Sequence, residues 1–338
     1  MNKNLITIAM AACTAFSAFA DNYKVTLPLT EDEDGMKAYI CNFDNGTKID
    51  STVVKNGKAV FSGSIETPVF AELILEGRKM ILVLEPGNAT FDAEMRSFTG
   101  TPLNDKLVAY FKKQQKLASE YRNKATTPER QEEIISEYDA NAQKMLDDNI
   151  ENPIGFMLFT QKCAEWDLQT LNDMLQKHPQ FASSERINKV KTILINKELT
   201  SEGKKFKDFE VSFDGKTSRL SDYVGKGKYT IVDFWASWCG PCIRQAKVLK
   251  ELYAKYADKG LDFLGVAVWD EPQNTIKAIK DHDLPWPQIL NAKTIPTDIY
   301  GIQGIPCIIL FDPEGNIVSR DKQNEDLIND VTKAMEGK

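Results

Sequence analysis

The sequence predicts a multidomain protein: an N-terminal antiparallel β-sandwich or barrel, a middle α-helical segment and a C-terminal α/β domain with a mixed sheet flanked by helices. Three patterns predict this fold class. Short apolar runs separated by turn residues occupy residues 21–100, and apolar residues at helical spacing occupy 101–200. Strand-like and helix-like runs then alternate over 201–338. We therefore expect three regions with these bounds behind a leader of residues 1–20.

The composition is that of a globular protein with buried hydrophobic cores. Of the 338 residues, 42% are hydrophobic and 27% are charged, and 42 Lys and Arg against 49 Asp and Glu give a formal charge of −7. These values argue against a disordered, collagenous or disulfide-scaffold protein. A mildly acidic chain also lacks the basic surface that binds phosphate backbones, so no nucleic-acid partner is expected.

Residues 1–20 have the pattern of a secretory signal peptide, with cleavage expected after Ala20. The cation Lys3 precedes an apolar run, and the run ends in the small-x-small pattern Ala18-Phe19-Ala20 before the acidic Asp21. The run is about 16 residues long, shorter than the roughly 20 that cross a bilayer. An uncleaved anchor and a lipoprotein attached at Cys13 are the two alternatives. The expected location is the periplasm.

The first region is predicted to consist of short strands. Its apolar runs are separated by four turn pairs: Asp34-Gly35, Asn45-Gly46, Asn56-Gly57 and Pro86-Gly87. These residues tolerate positive φ, which tight turns require. The acidic run of residues 31–34 lacks the alternating ligands of a calcium loop, so we interpret it as a solvated hairpin tip.

The second region is predicted to contain about four helices. The helical pattern is interrupted at residues 152–155, which include a proline and a glycine, and again at His178-Pro179. Cys163 lies among aromatic residues on one of these helices and is predicted to be a buried structural thiol, as is Cys41 in the first region. The only other histidine is His282, so a histidine-based metal site or catalytic triad has almost no candidate ligands.

The third region alternates strands and helices, which implies a mixed sheet covered on both faces. The predicted strands cover residues 230–234, 263–268, 307–311 and 316–318, and the predicted helices cover about 242–256, 272–281 and 326–335.

The stretch that carries chemistry is Trp235-Ala236-Ser237-Trp238-Cys239-Gly240-Pro241-Cys242, where a predicted strand ends and a helix begins. Two cysteines three residues apart at this junction can close a disulfide without distorting the helix. Cys239 would face the unpaired amide groups and the positive dipole end of the helix, which stabilise a thiolate. We therefore predict Cys239 as the nucleophile. Cys242, inside the first turn, is predicted to attack the mixed disulfide that forms on Cys239.

The run from Val232 to Cys242 resembles the active-site run of the thioredoxin family. The longer context includes the segments 203–206, 220–225 and 311–315, and it resembles the exported TlpA/ResA-like branch of thiol-disulfide oxidoreductases over residues 201–338. Residues 21–200 resemble the N-terminal extension of unknown function that precedes such domains in some Gram-negative bacteria.

The resemblance implies further site residues. Ile305-Pro306 falls where the family keeps a cis-proline beside the cysteines, and that proline would keep metals away from the thiolates. Asp233 falls where thioredoxin keeps a buried acid that relays a proton for the second cysteine. Burial should raise the pKa of Asp233 toward neutrality, which makes such a relay possible. The implied substrate groove consists of Trp238, Gly240, Pro241, Ile305 and Pro306. The expected activity needs no cofactor.

The sequence departs from the branch at three positions. Gln245 stands where exported relatives often place a glutamate, and Lys247 stands where they place a kinking proline. A buried glutamate therefore cannot tune this site. Cys307 replaces the threonine usual after the cis-proline, and we expect its side chain to point into the core. The alternative is a third redox thiol able to pair with one of the active cysteines.

Other functions have less support. A structural zinc site needs four ligands, and no second cysteine pair exists to supply them, so no metal is expected. A thiol-dependent peroxidase needs one peroxidatic cysteine in its own loop, whereas both active cysteines lie in one turn. The non-enzyme alternative is a partner-binding envelope module with a vestigial thioredoxin domain. The motif is intact and Asp233 and Pro306 are both present, which argues against a domain that has lost its activity.

We therefore expect an exported protein-disulfide oxidoreductase that acts as a reductase. The Gly-Pro pair between the cysteines is that of thioredoxin, whose potential of about −270 mV suits reduction. The periplasm is held oxidising, so the resemblance implies a membrane thiol donor that supplies electrons. The expected partners are protein thiols and disulfides of the cell envelope. Apocytochrome c, and hence cytochrome c biogenesis, or misbridged envelope proteins are substrates implied by resemblance, with a general role in cell redox homeostasis.

Overall fold

The computed structural model describes residues 21–337, so the predicted leader and Cys13 lie outside the described residues. The strands are β1 (Asp21–Pro28), β2 (Lys37–Asn42), β3 (Lys48–Val53), β4 (Lys58–Ile65), β5 (Val69–Leu75), β6 (Arg78–Leu84), β7 (Gly87–Asp92), β8 (Ser97–Thr99), β9 (Glu210–Phe213), β10 (Lys216–Arg219), β11 (Tyr229–Trp235), β12 (Leu261–Val268), β13 (Gln288–Lys293), β14 (Cys307–Phe311) and β15 (Ile317–Arg320). The helices are α1 (Pro102–Tyr121), α2 (Pro128–Asp148), α3 (Pro153–Cys163), α4 (Leu168–Lys177), α5 (Glu185–Leu199), α6 (Gly240–Tyr256), α7 (Pro272–Asp281), α8 (Ile295–Tyr300) and α9 (Asn324–Glu336). The predicted order of a β-rich, a helical and an α/β region is confirmed. Within residues 21–337, no helix has the length and apolar character needed to cross a membrane.

Two four-stranded sheets form the β-rich region. One has the order β4-β1-β7-β8 and the other has the order β3-β2-β5-β6. Their apolar sides share one core, in which Val25, Phe61 and Phe98 of the first sheet cluster with Ile40 and Leu73 of the second. Because strand residues alternate between faces, each sheet contributes every second side chain to this core. The architecture is therefore a β-sandwich.

One strand pair in this sandwich is parallel. Strand β1 pairs antiparallel to β4 on one side and parallel to β7 on the other, with Tyr23 opposite Gly87. A parallel pair needs a long connection, and the intervening strands of both sheets supply it here. The expected antiparallel pairing describes the other pairs of the sandwich.

Helices α1 to α4 of the five-helix middle region begin where side chains satisfy the free amide groups of the first turn. Helix α1 begins where Glu85 accepts the amide hydrogens of Leu103 and Asn104, at 2.8 and 3.1 Å. These amide groups have no hydrogen-bond partner inside the helix, and the buried carboxylate supplies one. Its negative charge also interacts favourably with the positive end of the helix dipole. Side-chain caps begin α2, α3 and α4, at Thr127, Asn152 and Asp167.

The chain divides into two compact units. One ends at Glu165 and also includes Ser183–Arg186, and the other consists of Trp166–Ala182 and the residues from Ile187 onward. Helices α1, α2 and α3 thus group with the β-sandwich, while α4 and most of α5 group with the α/β domain. The helices therefore do not form a unit of their own.

A five-stranded mixed sheet of order β13-β12-β11-β14-β15 supports the α/β domain. Strand β12 runs parallel to β11, and β14 pairs antiparallel to β11 on the other side. Along the central strand β11, Ile231 and Trp235 face a core shared with α6 and α9, whereas Val232 and Phe234 face a second core that includes Tyr300 of α8. Strand β11 is therefore covered on both faces, and its carboxyl end leads directly into the cysteine motif.

The turn after α8 depends on Gly301. This residue has a φ of 60°, and a Cβ atom there would lie 2.2 Å from the carbonyl oxygen of Ile193 and 2.6 Å from the amide nitrogen of Lys197. Helix α8 thus ends directly on the backbone of α5, within the same unit. A side chain at this position would meet both a strained backbone and a rigid neighbour.

We expect Gly301→Ala to lower the free energy of unfolding by about 2 kcal/mol or more, because the left-handed backbone and the contact with α5 both oppose a methyl group. Urea unfolding measures the loss. Gly304→Ala is the matched control, since Gly304 lies outside the left-handed region and a Cβ atom there meets nothing within 4 Å. Equal stability of the two variants would contradict this packing.

Candidate active site

The cysteine motif occupies the junction between β11 and α6. Cys239 is the N-cap residue of α6, and the backbone amide of Cys242 donates a hydrogen bond to the Cys239 sulfur at 3.1 Å. Pro241 occupies the first turn, where the missing N–H costs nothing because the helix has no partner for it. The sulfur therefore lies at the positive end of the helix dipole and accepts one of its unpaired amide hydrogens.

Cys239 and Cys242 are joined by a disulfide bond. Both residues are buried, with 3% and 1% of their surfaces exposed, so burial does not distinguish them. The polarity of the helix end does distinguish them, because only the Cys239 sulfur accepts the amide hydrogen. Around the pair, Gly240 and Pro241 are exposed and Trp238 is 62% exposed. An incoming molecule therefore meets these three residues first.

The Ile305–Pro306 segment lies beside the disulfide. The peptide bond between the two residues is cis, and the carbonyl oxygen of Ile305 lies 3.7 Å from the Cys239 sulfur. Both residues are half-buried and precede β14, the antiparallel neighbour of β11. The fold thus brings together the motif and a segment more than sixty residues away in sequence.

Asp233 is buried in the middle of β11. Because strand residues alternate, its side chain shares a face with Ile231 and Trp235, which is the face covered by α6. Burial raises the pKa of Asp233 to about 7. Its Oδ1 atom has no hydrogen-bond partner among the described residues, and no hydrogen bond there joins it to either active cysteine. The carboxyl group is thus available to hold or release a proton near neutral pH.

Gln245 is buried on α6, one turn beyond the disulfide. Its Oε1 atom accepts the amide hydrogen of Asn324 at 3.3 Å, and its Nε2 atom has no partner within the described part of the chain. Gln245 is a neutral amide and cannot exchange a proton with the cysteines. Asp233, on the face of the sheet that α6 covers, is a carboxyl group that can.

Cys307 faces the opposite side of the sheet from the disulfide. Its side chain belongs to the second core, whereas Cys239 and Cys242 belong to the core under α6. The Cys307 thiol donates a hydrogen bond to Oδ1 of Asp321 at 3.1 Å, and burial together with that carboxylate holds its pKa well above the ordinary value. A protonated thiol behind the sheet is poorly placed for exchange with the pair.

Two further thiols, Cys41 and Cys163, are also buried and free. Cys163 donates a hydrogen bond to the carbonyl oxygen of Thr160 at 3.2 Å, and burial raises its pKa to about 11. No group of three or more potential metal ligands occurs among residues 21–337.

The loop after β12 braces the motif, which the sequence patterns do not indicate. The Asp270 carboxylate accepts hydrogen bonds from the amide and hydroxyl groups of Ser237, at 2.7 and 3.0 Å, and from the Thr275 hydroxyl at 2.8 Å. The Trp238 indole N–H donates to the carbonyl oxygen of Trp269 at 2.9 Å. Trp269 has a φ of 53°, an unusual conformation for a bulky residue. The exposed indole is therefore held in one orientation beside the disulfide.

We expect the stability of the protein to fall as the pH rises through the range set by Asp233. The folded chain keeps the Asp233 proton up to about pH 7, while the unfolded chain releases it near pH 4. Raising the pH across this interval therefore favours unfolding, by about 4 kcal/mol in total. Asp233→Asn should remove this dependence and unfold less readily than the parent at pH 8, with the difference shrinking toward pH 4.

Urea unfolding at a series of pH values measures this effect. Asp258→Asn, an exposed site after α6, is the matched control and should follow the parent curve. Parallel curves for the parent and Asp233→Asn would contradict the raised pKa.

Two family models match the chain. Residues 203–320 match the AhpC/TSA family, and residues 23–107 match a domain of unknown function (DUF4369). Among solved structures, the thioredoxin domain of a thiol-disulfide oxidoreductase from Bacteroides vulgatus is 34% identical and aligns over 40% of this chain and 98% of its own length, with a TM-score of 0.37. A thiol:disulfide interchange protein from a Bacteroides species is 34% identical over 40% of this chain and 91% of its own, with a TM-score of 0.37.

Several relatives that match the chain are named thiol-disulfide oxidoreductase ResA, including the two that follow. The protein of Bacillus cereus is 32% identical over 127 residues, which is 37% of this chain and 72% of the relative. The protein of Bacillus thuringiensis is 30% identical over 140 residues, which is 41% of this chain and 76% of the relative. This identity over most of each relative, together with the disulfide at the start of α6, fixes the assignment: the chain belongs to the ResA family of thioredoxin-like thiol-disulfide oxidoreductases.

Proposed function

We propose that this oxidoreductase is exported to the periplasm and reduces protein disulfides there, with Cys239 as the nucleophile and Cys242 as the resolving cysteine. The observation that carries the proposal is the Cys242 amide hydrogen bond to the Cys239 sulfur at the start of α6. In the reduced protein this contact and the helix dipole favour a thiolate on Cys239. The Cys242 sulfur does not accept this amide hydrogen bond, so its thiolate is not stabilised in the same way.

The proposed exchange has two steps. The Cys239 thiolate attacks one sulfur of a substrate disulfide, so the substrate S–S bond breaks, a mixed disulfide forms on Cys239, and the released substrate sulfur takes up a proton. The Cys242 thiolate then attacks the Cys239 sulfur and releases the second substrate sulfur, which is protonated in turn. Two electrons pass from the dithiol to the substrate, and the Cys239–Cys242 disulfide is left behind.

We assign Asp233 the role of proton acceptor for Cys242 in the second step. An acid with a pKa of about 7 can take and return a proton at physiological pH. Its buried position beneath α6 and its unpartnered oxygen support this role. Gln245 lies on the same helix as Cys242, but its amide group cannot act as a competing base.

The substrate groove is proposed to run past Trp238, Gly240 and Pro241 on one side and Ile305 and Pro306 on the other. The exposed indole and proline ring offer apolar contacts, and the Ile305 carbonyl oxygen can accept a hydrogen bond from an extended substrate backbone beside Cys239. A site of this kind contacts backbone and the disulfide more than particular side chains, so it suits several protein substrates.

Direction, location and partners extend the proposal. The Gly-Pro pair resembles that of thioredoxin, which favours a reductase. Residues 1–20 favour export, with cleavage after Ala20. Because the periplasm is oxidising, a membrane thiol donor would have to re-reduce the disulfide. Apocytochrome c, whose reduction would place the protein in cytochrome c biogenesis, and misbridged envelope proteins are the proposed substrates.

Replacing Cys242 with Ser should stop the exchange after its first step, because no sulfur remains to attack the mixed disulfide. We expect Cys242→Ser to accumulate substrates bound to Cys239 in an envelope extract and to lose insulin-disulfide reduction at least tenfold. Non-reducing electrophoresis and mass mapping of the linked cysteine measure both effects.

Two variants control this experiment. Cys239→Ser should trap no more than about a tenth as much, since Cys242 lacks the stabilising contact. Cys307→Ser should reduce insulin at the parent rate, because its thiol lies behind the sheet. More trapping on Cys242 in Cys239→Ser than on Cys239 in Cys242→Ser would contradict the assigned order of attack. Turnover of peroxide by the parent protein without reduction of insulin would favour a peroxidase.

A further inference from the structure

The hairpin formed by α1 and α2 carries an apolar groove that is open to solvent. We call it the hairpin groove and define it by Ala118, Tyr121, Arg122, Ile135, Tyr138 and Asp139. Tyr121, Ile135 and Tyr138 are 41%, 49% and 41% exposed, which is high for large apolar side chains on adjacent helices. A contiguous apolar surface of this kind on a folded protein usually marks an interaction site.

A buried acceptor without a partner adjoins the hairpin groove. Gln114 is 6% exposed and lines the part of the groove that continues past Ala118, Arg122 and Tyr138. Its Nε2 atom donates to the Tyr138 carbonyl oxygen at 3.3 Å, whereas its Oε1 atom has no partner among the described residues. This oxygen is shielded from solvent, so it marks incomplete hydrogen bonding beside the hairpin groove and is not itself a contact for an occupant.

The two sides of the hairpin have opposite charge. Residues 102–124, which include α1, carry six cations and two anions, a net charge of +4, while α2 carries seven anions and two cations, a net charge of −5. Arg122 and Asp139 are exposed on opposite sides of the hairpin groove, and neither forms an ion pair within residues 21–337. The groove thus has an unpaired cation on one side and an unpaired anion on the other.

We infer that the hairpin groove binds the hairpin groove of a second copy of this chain. If the two-fold axis runs along the groove, it places the basic α1 of each copy over the acidic α2 of the other. Arg122 then faces Asp139 of the second copy, and the same pair forms again by symmetry. A two-fold axis across the groove would instead place α1 over α1 and α2 over α2, so that like charges meet. The charge pattern therefore favours the first arrangement, in which Ile135 and Tyr138 of the two copies form the apolar part of the interface.

The available area suits a modest dimer. A helix of about 20 residues is roughly 30 Å long and 10 Å wide, so the face of two helices covers about 600 Å² per copy. The total of about 1,200 Å² lies at the lower end of the range of stable protein–protein interfaces, so the area is compatible with a dimer. This inference uses no residue of the disulfide site, so its failure would leave the proposed function untouched.

Analytical ultracentrifugation of the mature protein, cut after Ala20 as proposed above, tests this inference. We expect the parent protein to dimerise in low salt and to dissociate as salt rises. Arg122→Glu and Asp139→Arg should each weaken dimerisation at least tenfold, because each places like charges in contact. Lys124→Glu makes the same charge change as Arg122→Glu at a residue that does not line the groove, and it should dimerise within about twofold of the parent.

Mixing the two disruptive variants is the decisive arm. Arg122→Glu and Asp139→Arg pair opposite charges at both contacts when they meet, so an equimolar mixture should form a heterodimer as tight as the parent dimer. Circular dichroism checks that each variant is folded. A parent protein that stays monomeric, a dimer that neither variant weakens, or a mixture that stays monomeric would each overturn the inference and assign the groove to a different occupant.

Discussion

The amide N–H of Cys242, 3.1 Å from the Cys239 sulfur, links the fold of the α/β domain to its chemistry. The contact exists because β11 ends at Trp235 and α6 begins at Gly240, so that Cys239 caps the helix. It gives two chemically identical side chains different environments. In the reduced protein the sulfur that accepts the hydrogen bond is the one favoured as a thiolate, which is the physical basis of the proposed order of attack.

The surrounding structure keeps this arrangement in place at some cost in stability. Asp233 is a carboxyl group inside a central strand, and burial raises its pKa to about 7. An apolar residue there would favour folding, yet it could not exchange a proton. On the outer side, Asp270 holds Ser237 and the Trp269 carbonyl holds the Trp238 indole, so the motif is fixed by a loop as well as by the helix.

Part of this structure is predictable from local sequence patterns. The strands β11, β12 and β14 and the helices α6, α7 and α9 follow from apolar patterns, and the spacing of Cys239 and Cys242 predicts the pair that the structure joins as a disulfide. Strand β13 is not predictable from such a pattern, because Asn291 and Lys293 adopt left-handed conformations and the pairing of β13 with β12 is irregular. Helix α8 has six residues, which are too few to display a helical period. The contact of Asp270 with Ser237 joins residues 33 apart, and no local pattern encodes it.

The central claim is that the chain donates electrons to protein disulfides, and the reduction potential of the Cys239–Cys242 pair tests it most directly. The measurement is equilibration with glutathione mixtures of known potential, followed by alkylation and mass analysis of the two cysteines. A reductase built on the Gly-Pro turn predicts a potential close to that of thioredoxin, about −270 mV. A potential near that of the strong oxidant DsbA, about −120 mV, would contradict the account and make the protein an oxidase.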